Sequence, residues 1–171
     1  MKKVFPLILC MFFISFSSGN KALPEENENP KTALLLIDVQ NFYFPGGRLP
    51  LVNPEEASLK TGKLLNHFRE KDLMVIHVRH DTQPGGEIHK RVKPLETEKV
   101  ISKNHANGFK DTDLLAYLRE NNIEKLVICG MMAHMCMEAA TQAAHDYDFV
   151  CSGARCLCHP GAEVLRQKNI S

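Results

Sequence analysis

Four reactive side chains stand where apolar runs of the sequence end: Asp38, His80, Lys103 and Cys136. The carboxyl ends of parallel strands lie at one edge of a sheet, so we expect these side chains to converge there. Cys136 also lies at a predicted helix start, where peptide N–H groups make a thiol more acidic and can hold an oxyanion. Asp38 would take the thiol proton, and Lys103 would favour the thiolate and orient Asp38. This pattern predicts covalent acyl transfer with Asp38, Lys103 and Cys136 as catalytic residues.

Each of these residues also has a simpler structural explanation. A cysteine after a strand is commonly a small buried hydrophobic residue, an aspartate at a strand end is commonly a turn or cap residue, and a lysine is commonly solvated. The joint placement at strand ends favours a site. Metal and cofactor patterns are missing from the sequence, because no H-x-x-x-H, C-x-x-C or G-x-G-x-x-G occurs and the Cys156–Cys158 spacing is too tight for zinc. We therefore predict no metal and no cofactor.

Apolar runs alternate with amphipathic stretches along the chain. Strands are predicted at Ala33–Ile37, Leu73–Val78, Val100–Lys103, Leu126–Gly130 and Phe149–Val150. Helices are predicted from Pro54 to Lys71, from Asp111 or Thr112 to Asn121, and from Met135 to Tyr147. The first helix has a strong start signal, because Asn53 is a good N-cap ahead of Pro54. Alternating strands and helices with short connections predict an α/β domain with three layers around a mostly parallel sheet.

The first 22 residues have the layout of a secretory signal peptide. Two lysines precede an apolar run over Val4–Phe16, and small residues follow that run. The run is shorter than the roughly 20 residues that a membrane span requires, so we expect no permanent span. Residues 23–32 are polar and are expected to be a linker, and residues 33–171 are expected to form the domain. The protein is therefore predicted to be exported, as a periplasmic or secreted protein.

Composition and charge restrict the class of protein. The chain has 171 residues, 44% of them hydrophobic and 24% charged, which is ordinary for a single globular domain. Lysine and arginine number 21 against 20 acidic residues, so the basic excess of a nucleic-acid-binding protein is missing and a small-molecule substrate is the expected partner. Of the 6 cysteines, one lies in the signal segment, which leaves an odd number in the mature chain and predicts at least one unpaired thiol.

Three parts of the sequence resemble the isochorismatase-like hydrolases, also called the cysteine hydrolase superfamily. They are Ala33–Gly47, Lys103 with Phe109 and Thr112, and Cys129–Ala144. The first and last of them are similar to the family in both spacing and residue type. The resemblance implies a three-layer α/β/α sandwich with a Rossmann-like sheet, the isochorismatase-like hydrolase fold. It also implies that the protein is a homo-oligomer, as members of the family often are.

The same resemblance implies roles at the site. The family's triad of aspartate, lysine and cysteine falls on the three catalytic residues named above. The turn before the nucleophile would contain a cis peptide at Met131–Met132, and the N–H groups of Met132 and Cys136 would form an oxyanion hole. Gln40 matches a position that lines the family's pocket, and we place His80 with it as a substrate-binding residue.

Departures from the family pattern reduce the number of reactions that the resemblance allows. The D-x-H metal motif of the nicotinamidase branch is missing after the second strand, where His77–Asp81 stands, so neither a metal nor nicotinamide is expected. Ala133 stands where threonine is common, and Phe42 stands where aspartate is common. Isochorismatases proper generally lack the nucleophilic cysteine, so Cys136 indicates hydrolysis of a small amide-type C–N bond through a thioester. Three alternatives stay open: a non-catalytic ligand-binding relative with an incomplete C-terminus, isochorismatase-type vinyl-ether hydrolysis, and a disulfide-bearing structural domain.

Residues 151–171 are atypical of the family. A relative would be expected to continue with a motif similar to Asp-Ala-Cys-Ala-Thr-Arg, whereas this chain continues through Arg155–Val164. A back-translation of that segment, read one nucleotide later, gives Asp-Ala-Cys-Ala-Thr-Arg-Glu-Leu-Lys. We therefore hypothesise a shifted reading frame or a truncation that begins near Val150–Ala154, which would make Cys156 and Cys158 accidental.

Overall fold

The computed structural model describes residues 30–153 of the chain. In that part of the chain the strands and α-helices follow one another as β1 (Thr32–Ile37), α1 (Pro54–Glu70), β2 (Met74–His80), β3 (Lys99–Lys103), α2 (Leu114–Glu120), β4 (Lys125–Gly130), α3 (Glu138–Asp146) and β5 (Val150–Gly153). Short 3-10 helices lie at Asn41–Tyr43 and Lys90–Val92, and a π-helical turn at Ala133–Met137 leads into α3. The alternation predicted from the sequence is confirmed.

The strands form one parallel sheet in the order β3-β2-β1-β4-β5. β1 lies at the centre, where Leu36 pairs with His77 of β2 and with Cys129 of β4. The chain builds one half of the sheet outwards from β1 and then returns to build the other half. Such a reversal leaves a crevice at the carboxyl ends of the central strands. The predicted α/β class with a parallel sheet is confirmed.

Side chains of β1 alternate between the two faces of the sheet, and each face has its own apolar core. Leu34 packs with Leu65 of α1 on one face. Leu35 packs with Leu114 of α2 and Ala140 of α3 on the other face. All five side chains are fully buried. The continuous apolar run of β1 follows from this burial on both sides, and it places β1 in the middle layer of an α/β/α sandwich.

Of the first two helices, α1 begins where the sequence predicts and α2 begins later. α1 begins at Pro54 after Asn53, as predicted, although Asn53 has a left-handed backbone with a φ of 52° and its side chain makes no capping hydrogen bond. α2 begins only at Leu114, later than predicted. Thr112 Oγ1 donates to the carbonyl oxygen of Gly108 at 2.7 Å, and this turn occupies the residues at which the helix was expected to begin.

The ends of the described region differ little from the prediction. β1 begins at Thr32, the last residue of the predicted linker, and β5 extends to Gly153, three residues beyond the predicted strand. The predicted signal peptide and the atypical tail with Cys156 and Cys158 lie outside the described residues. Between residues 30 and 153, no helix has both the length and the apolar character to cross a membrane.

Candidate active site

The ammonium group of Lys103 is the centre of the site. Its Nζ donates to Asp38 Oδ2 at 2.7 Å and to Cys136 Sγ at 3.3 Å, and it lies 3.4 Å from Nδ1 of His80. The side chains of Lys103 and Asp38 are fully buried, and Cys136 is 6% exposed. The structure therefore brings together the four residues that the sequence places after separate apolar runs.

Backbone contacts fix the strand ends that carry these side chains. The N–H group of Asp38 donates to the carbonyl oxygen of Val78 at 2.8 Å, which holds the end of β1 against β2. Asp38 itself has a left-handed backbone with a φ of 50°, a conformation that aspartate adopts more readily than most residues. At the end of β4, Gly130 passes so close to β1 that a Cβ atom would collide with the carbonyl oxygen of Ile37. Only glycine fits there, and the turn toward the thiol begins immediately afterwards.

The thiol lies in a π-helical turn and not in the first turn of an α-helix. α3 begins three residues later than predicted, because the N–H groups of Met135 and Met137 both donate to the carbonyl oxygen of Met132, at 3.2 and 3.4 Å. The prediction of a helix start at Met135 is wrong for this reason. Cys136 lies between these two donors in the sequence, and its N–H group is one of the two that the resemblance places in the oxyanion hole. The cis peptide implied at Met131–Met132 is confirmed.

Burial and mutual repulsion oppose two negative charges at the site. Burial raises the pKa of Asp38 above its usual value, although the Lys103 ammonium acts in the opposite direction. Burial and the Asp38 carboxylate raise the pKa of the Cys136 thiol to about 11, and Lys103 offsets this only in part. The resting thiol is therefore protonated at neutral pH, so the expectation that its surroundings make it more acidic is wrong. Among the described residues, Asp38 Oδ1 is buried without a hydrogen-bond partner.

The imidazole of His80 faces Lys103 in this cluster. A lysine ammonium only donates hydrogen bonds, so the 3.4 Å contact favours the tautomer in which Nδ1 accepts and Nε2 carries the ring proton. Burial and the charge of Lys103 lower the pKa of His80, which keeps the ring neutral at physiological pH. The side chain is partly exposed. Its Nε2–H group is therefore a donor that the contact with Lys103 does not use.

The sequence of the described region matches a known family. A family model described as the isochorismatase domain covers residues 32–156. The chain belongs to the isochorismatase family. The resemblance noted in the sequence is thereby confirmed, and the protein is a hydrolase of that family.

Several relatives of this isochorismatase-family protein are similar over most of the described region. The uncharacterised isochorismatase family protein YddQ of Bacillus subtilis (strain 168) is 44% identical in a 138-residue alignment that covers 74% of this chain and 77% of that protein. The secreted isochorismatase effector Isc1 of Verticillium dahliae is 30% identical, over 75% of this chain and 72% of that protein. A streptothricin hydrolase of Streptomyces noursei is 30% identical, over 67% of this chain and 49% of its own length.

Solved structures agree with the fold. An isochorismatase of Pseudomonas putida KT2440 has a TM-score of 0.69 and 31% identity, covering 75% of this chain and 72% of that one. N-carbamoylsarcosine amidase of Thermoplasma acidophilum has a TM-score of 0.72 over 77% of this chain and 86% of that one. The amidase is 22% identical, so it shows the shared α/β/α fold alone.

Gln40 lies beside the cluster and contacts the backbone next to it. Its Nε2 donates to the carbonyl oxygens of His80 and Gly86, at 2.9 and 2.6 Å, and its Oε1 accepts from the N–H group of His80 at 2.8 Å. The side chain is fully buried. Gln40 therefore fixes the backbone at the end of β2, a role that its position in the sequence does not indicate.

Two residues near the cluster were not singled out from the sequence. Tyr43 is buried, and burial together with the negative charge of Asp38 raises its pKa, so its phenol stays protonated. The charge of Arg48 acts on the same phenol, and it also lowers the pKa of His80. Both residues follow closely on the strand that ends before Asp38. A tyrosine or an arginine that closely follows a strand ending at a candidate catalytic residue is the signal that could have found them.

Proposed function

We propose that this isochorismatase-family hydrolase cleaves the C–N bond of a small amide-type substrate through a thioester at Cys136. The observation that carries the proposal is the cluster around Lys103, in which a carboxylate and a thiol contact one buried ammonium at 2.7 and 3.3 Å. A thiol, an acid–base group and a charge that balances them are what acyl transfer requires. The relative named streptothricin hydrolase supports the hydrolytic class.

The reaction begins with a proton transfer inside the cluster. The site holds one negative charge beside Lys103, so moving the proton from Sγ to Asp38 shifts that charge to sulfur without changing the total. The thiolate of Cys136 attacks the substrate carbonyl carbon, and an S–C bond forms as the carbonyl π-electrons move to oxygen. When the tetrahedral intermediate collapses, the C–N bond breaks and the amine leaves with the proton from Asp38.

Water completes the reaction at the same carboxylate. Asp38 takes a proton from a water molecule, whose oxygen attacks the thioester carbonyl carbon. The S–C bond then breaks, the acid product leaves, and the proton returns from Asp38 to the sulfur. We assign these transfers to Oδ1, the carboxylate oxygen that has no hydrogen-bond partner among the described residues.

Substrate binding is assigned to donors around the thiol. The N–H groups of Met132 and Cys136 would hold the oxyanion of the tetrahedral intermediate. The Nε2–H group of His80 would donate to the substrate, because the tautomer favoured by Lys103 leaves that proton unused. Gln40 would contribute to the same pocket by holding the backbone of His80.

Hydrolysis of a panel of small amides and ureides by the purified protein tests the proposal. Wild type should release ammonia or amine, and Cys136→Ser should lower that rate by at least about 10²–10⁴-fold, because the nucleophile is lost. Cys151→Ser is the matched control, because it removes a half-buried thiol on β5, away from the cluster. Mass spectrometry of wild type stopped during turnover should find the acyl group on the peptide with Cys136.

The same assay, with isochorismate added to the panel, separates the alternatives. Full amide hydrolysis by Cys136→Ser would exclude the covalent mechanism. Turnover of isochorismate without an acyl adduct would favour vinyl-ether hydrolysis. Binding without turnover would favour a non-catalytic relative.

We also propose that the protein is exported. The support is the composition of residues 1–22 and the secreted effector among the relatives. N-terminal sequencing of exported protein should find a start near Asn20. An intact Met1 on protein from the cell envelope would indicate an uncleaved anchor.

A further inference from the structure

A cavity of about 420 Å³ opens beside the loop that follows β1. Of the described residues that line it, Arg48 alone is charged, and the others are an asparagine, a phenylalanine, prolines and glycines. A positive charge without a carboxylate in the same wall favours an anionic ligand.

The guanidinium of Arg48 is held without being neutralised. It lies over the ring of Phe42, with Cζ 5.0 Å from the ring centroid, and its Nη2 donates to Thr82 Oγ1 at 2.6 Å. Among residues 30–153, no carboxylate forms a salt bridge with it. A guanidinium has further N–H donors in a rigid fork, so the contact with Thr82 leaves donors for a ligand.

The backbone on both sides of Arg48 is fixed. The N–H group of Gly47 donates to the carbonyl oxygen of Phe44 at 2.8 Å, and the N–H group of Leu49 donates to that of Phe42 at 3.0 Å. Gly47 approaches the backbone of Phe42 so closely that a Cβ atom would collide with it. The arginine is therefore presented by a tight, hydrogen-bonded loop, and its backbone needs no ordering when a ligand binds.

A short series of hydrogen bonds connects the cavity wall to the candidate active site. Gly85 lines the cavity and accepts from the N–H group of Phe42 at 3.0 Å, and the next residue, Gly86, accepts from Gln40 at 2.6 Å. Gln40 in turn holds His80, which contacts Lys103. The charge of the cavity arginine also reaches this imidazole, whose pKa it lowers.

We infer that Arg48 binds a carboxylate of the substrate, so that the preferred substrates are amides or ureides that carry a carboxylate away from the scissile C–N bond. The guanidinium fork matches the two oxygens of a carboxylate, and such bidentate contacts are among the stronger hydrogen bonds. The inference rests on the proposed function, because it names the substrate class of the same site. Arg48 is a specificity-determining residue in this scheme, distinct from the three groups that move protons or form bonds.

Hydrolysis of matched amides tests the role of Arg48. Succinamate and butyramide have the same carbon number and differ in the terminal carboxylate, and the ratio of their kcat/KM values is the readout. Wild type should favour succinamate by about 10- to 100-fold, and Arg48→Gln should bring the ratio close to one. Arg48→Lys should keep part of the preference, because the charge remains and the fork is lost. Arg119→Gln, an exposed arginine on α2, should leave the ratio unchanged.

Binding without turnover separates this inference from the proposed function. Calorimetric titration of Cys136→Ser with succinamate and with butyramide, with Arg48 intact or changed to glutamine, needs no chemistry. If Cys136→Ser binds succinamate in an Arg48-dependent way while wild type hydrolyses no amide, the role of Arg48 in binding a carboxylate stands and the proposed function is rejected. Hydrolysis of both amides at equal kcat/KM would support the proposed function and reject the role of Arg48. The inference is also overturned if Cys136→Ser fails to bind succinamate, or binds it equally well in both Arg48 backgrounds.

Discussion

Two carboxylates, Asp38 and Glu98, both contact cationic side chains, but their surroundings differ. The side chain of Asp38 is fully buried, whereas that of Glu98 is mostly buried. Both oxygens of Glu98 are occupied. Oε1 accepts from Arg69 Nε at 2.7 Å, and Oε2 accepts from Arg69 Nη2 and from the N–H group of Leu95, at 2.8 and 2.9 Å. His77 Nε2 lies 2.9 Å from the same Oε2. Burial acts to raise the pKa of Glu98, but these hydrogen bonds outweigh it and lower the pKa to about 2.

Asp38 accepts a short hydrogen bond from Lys103 and also interacts with Cys136, and its surroundings have the opposite effect on its pKa. Lys103 donates to Oδ2, Oδ1 has no partner among the described residues, and burial raises the pKa. A carboxylate with both oxygens bonded is a fixed anion that joins elements of the fold. A carboxylate with one oxygen left over can accept a proton and return it. Full burial and an oxygen left without a hydrogen bond together distinguish Asp38, the carboxylate that we propose as the acid–base group, from Glu98.

The largest effect is expected when both charges of the Asp38–Lys103 pair are removed. The double variant Asp38→Asn, Lys103→Met should lose amide hydrolysis by at least about 10²–10⁴-fold, because the acid–base group is gone. Its free energy of unfolding should change by less than about 1 kcal/mol, because removing both partners leaves no unpaired buried charge. Ammonia release and urea unfolding measure the two quantities. Hydrolysis at the wild-type rate would show that the reaction does not need the pair. A loss of stability above about 3 kcal/mol would show that the pair has a structural role.

Glu98→Gln should have the opposite outcome. It removes the charge that Arg69 and His77 contact, so the free energy of unfolding should fall by about 1.5–3 kcal/mol. Amide hydrolysis per folded molecule should stay at the wild-type level. Glu56→Gln is the matched control, because Glu56 pairs with Lys60 on the exposed face of α1 and its loss should not change stability measurably. An unchanged unfolding curve for Glu98→Gln would show that full hydrogen bonding does not make this carboxylate structural.

The sequence predicts one of these two regions much better than the other. Asp38 and Lys103 stand at the ends of apolar runs, and the geometry of parallel strands places such ends together, so their neighbourhood follows from local patterns. Glu98 meets Arg69 of α1 and His77 of β2 just ahead of β3. Nothing in the local sequence of any of the three marks the others as partners, because the contacts depend on how the layers pack.

Within the site, residue types were predictable and their energetics were not. A cysteine after β4 is visible in the sequence, but the π-helical turn around Cys136 depends on two backbone bonds to a single carbonyl oxygen. The direction of the thiol pKa depends on how burial and the Asp38 carboxylate compare with Lys103. Burial and distance decide that balance, and a sequence pattern gives neither. Arg48 was missed for the same reason, because its cavity is formed by loops that follow two different strands.

A smaller effect concerns the thiol when Asp38 alone is changed. The Asp38 carboxylate raises the pKa of Cys136, so Asp38→Asn should lower that pKa and increase the thiolate fraction. Alkylation of Cys136 by iodoacetamide near pH 8 should then become faster, by roughly tenfold for each pKa unit, while amide hydrolysis falls. Peptide mapping gives the rate, and Cys129, fully buried in β4, is the internal control that should stay slow in both proteins. Slower alkylation in Asp38→Asn would show that the carboxylate promotes the thiolate at rest.

The smallest effect is a difference in how the two carboxylates respond to acid. The folded pKa of Glu98 is about 2, below its ordinary 4.5, so the unfolded chain takes up that proton first as the pH falls. The stability that wild type has over Glu98→Gln is therefore complete above about pH 6, declines as the pH passes 4.5, and is lost near pH 2.

The pKa of Asp38 is raised, so at that residue the folded state takes up the proton first. Relative to the double variant without the Asp38–Lys103 charges, wild type should then gain stability as the pH falls through the raised pKa. Urea unfolding at about pH 6, 5 and 4 would measure both differences, and the same sign for the two carboxylates would remove the distinction between them.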